Sequence, residues 1–170
     1  MGLIRIMGAD DAAAYQALRL RGLQESPEAF GSTYAGEVNT PLPQIAERLA
    51  RGAGGEDVVF GAWDDEGRLV GVAGMGRGTS LKTRHRAGIW GMYVAPEARG
   101  GGVGRALMDA LIAHARSLHG LQRLTLGVTT INQPARALYH SVGFVTYGIE
   151  PEAYLLDGEY WDSELMTLRL

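Results

Sequence analysis

The sequence predicts a single mixed α/β domain over residues 1–170, and three observations carry that prediction. The length of 170 residues suits one domain with a sizeable core and is cramped for two. Hydrophobic residues at 46% with aromatics at 8% make a globular composition, which excludes collagen-like, mucin-like and disordered chains. Stretches alternating with period two are interleaved with stretches of helical period, and no repeat, low-complexity tract or linker divides them. Glycine is abundant, at 25 residues, about twice its usual share of roughly 7%.

The elements follow in order. Leu3 to Met7 reads as a short strand, after which Asp10 or Asp11 caps a helix to about Gln24 with Ala14, Leu18 and Leu23 on its apolar side. Ser26 to Pro43, with Gly31, Gly36, Pro41 and Pro43, is a long loop of the kind that often carries function. A second helix from Pro43 to Arg51 stops at Gly52, Gly54 and Gly55. Asp57 to Trp63 and Leu69 to Arg77 form a meander, turned by Asp64-Asp65-Glu66-Gly67. A third strand of the meander runs from about Arg86 to Val94, after the polar loop Gly78 to His85. Val103, Leu107, Leu111, Ala115 and Leu118 mark one stripe of a helix from Val103 to about His119, roughly 25 Å long. Arg123 to Thr129 alternates with Leu124, Leu126 and Val128 on one face, and Pro134 to Ser141 is a short helix closed by Gly143. Two strands, near Phe144 to Ile149 and Ser163 to Leu170, finish the chain.

Composition also narrows function. With no cysteine, a disulfide framework, a thiolate zinc site, an iron–sulfur cluster and a cysteine nucleophile are excluded. The histidines His85, His114, His119 and His140 lack metal-ligand spacing, so no metal is expected. A net charge of −3 gives no bulk basic field for nucleic acid or acidic membrane, and the short basic run Lys82, Arg84, His85, Arg86 reads as a solvated loop. The apolar run Leu69 to Gly76 is too short to span a bilayer, and the acidic pair Asp10-Asp11 close behind Met1 to Ile6 is unlike a signal peptide. A cytoplasmic protein is the expectation.

The most informative segment is a strand and turn leading through Arg99-Gly100-Gly101-Gly102-Val103-Gly104-Arg105 into the long helix. Unpaired N–H groups at a helix start favour a phosphate, and glycines let the backbone approach it, with Arg99 and Arg105 adding charge. The segment is not a Walker loop, because Gly104 is followed by Arg105-Ala106. Nor is it a dinucleotide fingerprint, which would need glycine in place of Leu107. A phosphate clamp of a third kind is left.

Arg99-x-x-Gly102-x-Gly104 after a strand ending Met92-Tyr93-Val94 resembles the acetyl-CoA signature of the GCN5-related N-acetyltransferases (GNAT). Asn132-Gln133-Pro134-Ala135-Arg136-Ala137-Leu138-Tyr139, with Gly143-Phe144 behind it, is similar to that family's second signature. The resemblance implies a central mixed sheet of about seven strands flanked by about four helices. Within it the strand of Met92 and Val94 splays from the parallel strand of Leu124 to Val128. It implies that the pantetheine arm of acetyl-CoA fills the gap and pairs with main chain at Met92, Tyr93 and Val94. It implies pyrophosphate on the N–H groups from Gly100 through Gly101, Gly102, Val103 and Gly104 to Arg105, with Arg99 and Asn132 beside the cofactor. A backbone N–H near Val94 would stabilise the oxyanion, and Tyr139 would protonate or hydrogen-bond the leaving sulfur.

The implied reaction is acetyl transfer from acetyl-CoA to a primary amine of a small molecule or peptide, by direct attack in a ternary complex. A longer-chain acyltransferase and a non-catalytic acyl-CoA sensor are the alternatives. Many relatives carry a carboxylate or histidine where this chain has Gly88 and Trp90, and others a glutamate where it has Gly127. Glu28, Glu37, Asp162 and Glu164 are therefore the candidates for base or substrate anchor, with Glu28, Phe30, Trp90 and Tyr160 assigned to the acceptor side. A lysine-like amine of pKa about 10.4 costs about 4.6 kcal/mol to deprotonate at pH 7, and an α-amino group near 8 costs about 1.4 kcal/mol. An amine of low pKa is accordingly the favoured acceptor. The resemblance allows a homodimer.

Overall fold

In the computed structural model, which describes residues 2–170, the strands assemble into one seven-stranded sheet. They are β1 (Ile4–Ile6), β2 (Asp57–Trp63), β3 (Leu69–Arg77), β4 (Arg86–Val94), β5 (Arg123–Thr129), β6 (Val145–Leu156) and β7 (Glu159–Arg169). Their order is β1-β2-β3-β4-β5-β7-β6, and only β4 and β5 run parallel to each other. The helices are α1 (Ala12–Glu25), α2 (Tyr34–Glu37), α3 (Leu42–Ala50), α4 (Val103–Ser117) and α5 (Gln133–Ser141).

The sheet is covered on both faces. On one, Leu107, Leu111 and Ala115 of the α4 stripe pack with Met108 and Ile112 against Val58, Met75, Leu124 and Met166. On the other, Tyr15, Leu18 and Leu23 of α1 and Ile45 and Leu49 of α3 pack on Val59, Val72 and Tyr93. The meander and the α4–β5–α5 run match expectation because each follows from local signals. The Asp64 carboxylate, for example, accepts the N–H groups of Glu66 and Arg68 at 3.0 and 2.8 Å and so closes the β2–β3 turn.

Four sequence expectations are corrected. Asp11 does not cap α1 with its side chain; it accepts the Gly8 N–H behind it at 2.8 Å and pairs with Arg5 at 2.7 Å. Ala14 is exposed, because α1 buries a face made of Ala12, Tyr15, Leu18, Arg19, Gly22 and Leu23 in which polar groups interrupt the apolar period. The long loop contains a 3₁₀ turn at Pro27–Ala29 and the single turn of α2, capped by Thr33, which raises the helix count to five. The last two strands are much longer than expected and form a hairpin closed at Leu156↔Glu159. An irregular register between Glu150 and Tyr154, with Glu152 at φ 52°, hid their continuity from an alternation test.

Candidate active site

Strands β4 and β5 pair at only three positions, from Arg86↔Arg123 to Gly88↔Thr125, and part beyond them. The other edge of β4 continues on β3, where Val72↔Tyr93 and Gly74↔Trp90 leave Ala73 facing both Gly91 and Met92. Gly91, at φ 64°, makes this bulge possible, since a left-handed backbone is strained for other residues. The parting leaves the facing edges of β4 and β5 without a sheet partner. A cleft of about 590 Å³ opens beside the far end of β4, floored by Met92, Tyr93 and Val94 and walled opposite by Ile131, Asn132 and Ala135.

The glycine segment forms one end of the cleft. Among the described residues, the N–H groups from Gly100 through Arg105 donate to no other group of the chain; the first to do so is Ala106, to the Gly102 carbonyl at 2.9 Å. Gly102 has φ 82°, and no heavy atom comes within 4 Å of where its Cβ would stand. This row of free donors at the start of a 15-residue helix makes a cradle for an anion. Arg99 reaches back to donate from Nε to the Val94 carbonyl at 2.9 Å, and Arg105 pairs with Asp109 at 3.1 Å. Asn132 caps α5 by accepting the Ala135 N–H at 3.2 Å and also lines the cleft.

Of the expected cofactor residues, Met92, Tyr93, Val94, Arg99, Gly100, Gly102, Val103, Gly104, Arg105 and Asn132 line the cleft. Gly101 faces a separate hollow beside Trp63 and Asp65. The Tyr93 side chain turns away beneath α1, where its hydroxyl donates to Glu25 at 2.5 Å; burial, and next the Glu25 bond, push its pKa up to about 12. Tyr139 follows the cleft-lining Leu138 but packs in the core, its ring edge-on to Phe144 at 6.1 Å. Burial raises the pKa of its phenol.

On the acceptor side, Glu28 and Phe30 line the cleft. Trp90 lies outside it, under the Arg48 guanidinium at 5.2 Å. Tyr160 is 56% exposed on β7, paired with Leu155. Of the other acids, Asp162 accepts the Glu152 N–H at 2.8 Å, and Glu37 is paired with Arg19. Sequence reading missed Arg19, although its position four residues after Tyr15 places it on the inward face of α1.

Glu164 is buried on β7, where Thr146 of β6 and Arg136 of α5 both donate to it and His140 lies 3.6 Å away. These bonds anchor α5, and with it Asn132 and Tyr139, to the sheet. The Thr146 hydroxyl first, outweighing burial together with Arg136, holds the Glu164 carboxyl below its ordinary value. A depressed carboxylate stabilises the fold above its unfolded pKa, about 4.3, and that contribution fades as pH falls through the folded value. We expect Glu164→Gln to lower the urea midpoint at pH 6 and to flatten its decline between pH 5 and pH 3. Parallel declines in parent and variant would contradict this.

The model of the Acetyltransferase (GNAT) family matches residues 24–144. The chain is 30% identical over 107 residues to the L-amino acid N-acyltransferase MnaT of Escherichia coli (strain K12), an alignment covering 63% of this chain and 62% of that enzyme. It spans less than two thirds of the length of the curated relatives it matches first. Its fold superposes on a GNAT-family acetyltransferase from Streptococcus pneumoniae with a TM-score of 0.92 and 25% identity, over 100% of both chains. The Salmonella typhimurium protein yncA, solved with its cofactor acetyl-CoA, shares the fold at a TM-score of 0.86 and 22% identity, over 100% of this chain and 94% of that one. No helix among the described residues is long and apolar enough to cross a membrane.

Proposed function

The chain belongs to the GNAT family of acetyltransferases, and on that premise we propose that it transfers the acetyl group of acetyl-CoA to a primary amine, by direct attack in a ternary complex. The observation that carries this reading is the row of free N–H groups from Gly100 to Arg105 at the end of a cleft that runs along β4, where it has parted from β5, to the start of α5. A diphosphate suits the row, and an extended amide-bearing arm suits the unpaired strand edges.

Bound acetyl-CoA would supply a thioester carbonyl as the electrophile. In this reading Gly100 to Arg105 hold the pyrophosphate, Asn132 lies beside the arm, and the main chain of Met92 and Val94 pairs with its amides. A backbone N–H near Val94 donates to the carbonyl oxygen as negative charge develops there. Tyr139 donates its proton or a hydrogen bond to the departing sulfur; a phenol is protonated at neutral pH, and burial, by raising its pKa, favours the hydrogen bond over full proton transfer. Glu28, the one carboxylate among the cleft-lining residues, receives the incoming amine. Glu37 and Glu164 are both ion-paired and held below their ordinary range, which makes them weak bases.

Titration calorimetry with acetyl-CoA, then thiol release with a panel of amines, tests the proposal. Micromolar binding is expected, followed by CoA release that rises from pH 7 toward the pKa of the preferred amine. With no strong base in the cleft, the neutral fraction of the amine sets the rate. A rate flat from pH 7 to pH 10 would contradict this account of deprotonation, and no binding would overturn the function.

A further inference from the structure

The acceptor side of the site holds a cation that the protein leaves partly unsatisfied. Arg19 projects from the buried face of α1, and its side chain is 10% exposed. Its Nε and Nη2 donate to the Glu37 carboxylate at 3.1 and 2.8 Å, which accounts for one edge of the guanidinium. Nη1 is buried and has no hydrogen-bond acceptor. Leaving a buried donor unpaired is costly, and native folds rarely do so.

A second cation stands across the same hollow. Arg48 of α3 lies over Trp90 and donates from Nη2 to the Tyr15 hydroxyl at 2.6 Å. Among the described residues it forms no ion pair within 4.0 Å, whereas Arg19 pairs with Glu37. The cluster of two guanidiniums and one carboxylate therefore carries surplus positive charge. Both line a polar hollow of about 190 Å³ between α1, α2 and α3.

Arg19 also reaches from this hollow toward the cleft. Arg19 Nη1 is 3.5 Å from where a Cβ would stand at Gly91, and apart from Gly91's chain neighbours nothing else comes within 4 Å of that point. The next residue, Met92, floors the cleft. Phe30 links Arg19 to the cleft: its ring lies 4.7 Å from the Arg19 guanidinium, and it lines the cleft.

We propose that Arg19, with Arg48, binds a carboxylate of the acceptor, so that the amine acetylated belongs to an amino acid or a related aminocarboxylic acid. The proposal rests on the transferase reading above. An acceptor carboxylate supplies the bond that Nη1 lacks and balances the charge of the cluster. At Gly91 no side chain crowds Nη1, which stands 3.5 Å from the point a Cβ would take. A polyamine or a lysine side chain would bring positive charge against two guanidiniums, which selects against it.

The test begins with acetyl-CoA calorimetry on the unmodified protein, because failure to bind would overturn the transferase reading and this inference with it. Thiol release is then compared for the common L-amino acids, β-alanine and γ-aminobutyrate against their amides, and against spermidine. We expect the best acid to exceed its amide by at least about 10-fold in kcat/KM. Arg19→Gln should erase that preference while leaving the acetyl-CoA Kd unchanged. Arg48→Gln, at an exposed position, should reduce it, and serves should Arg19→Gln fail to fold. Acetyl-CoA binding without use of any acid would overturn the proposal. So would equal use of acid and amide, a preference for spermidine, or an acid preference that survives Arg19→Gln.

Discussion

Gly102→Glu should abolish measurable acetyl-CoA binding, a loss of at least about 100-fold or ~2.7 kcal/mol, while the protein stays folded. Two effects act together. The φ of 82° that Gly102 adopts is strained for any side-chain-bearing residue, by about 1–2 kcal/mol. The new carboxylate also stands among the free N–H groups from Gly100 to Arg105 and competes for them with the pyrophosphate. Because no neighbour within 4 Å clashes with the new side chain, the φ strain alone should cost stability, lowering the thermal midpoint by a few degrees with the fold retained. Calorimetry beside thermal melting separates the two, and binding within threefold of the parent would remove the glycine turn from the cofactor site.

Tyr139→Phe should lower kcat by at least about 10-fold and leave the acetyl-CoA Kd within threefold. General acids contribute roughly 10²–10⁴-fold, and hydrogen-bond stabilisation of a thiolate sits at the lower end. The ring edge-on to Phe144 is retained in the variant, so packing is preserved and only the hydroxyl is lost. The pH dependence separates this role from a structural one. Burial raises the phenol pKa, so the donor stays protonated and the parent should show no alkaline decline from this group below pH 10. Unchanged turnover in the variant would end the catalytic assignment.

The cofactor side was legible in the chain because its determinants are contiguous. A strand, a turn of glycines and a helix lie side by side in sequence, and the anion cradle is made of main chain, so Gly100 to Arg105 are readable without tertiary information. The acceptor side was not. Arg19 gains its meaning from Glu37 on α2, Arg48 on α3, Phe30 after the 3₁₀ turn and Gly91 on β4, which only packing brings together. Trp90 and Tyr160 were chosen by residue type, and tertiary structure sets Trp90 beneath Arg48 and Tyr160 on the exposed face of a hairpin.

The sequence by itself determined the order and kind of nearly every element, the stripe of α4, the meander and both signatures, because periodicity, turn chemistry and helix starts are properties of neighbours along the chain. Tertiary structure alone decided where β4 parts from β5, and how far the last hairpin extends through its irregular register. It also decided that an arginine buried on α1 stands without a full set of partners beside Gly91 of β4. The physical reason is common to all three: a strand's pairing and a buried cation's partners come from distant segments, and no local pattern records what they meet.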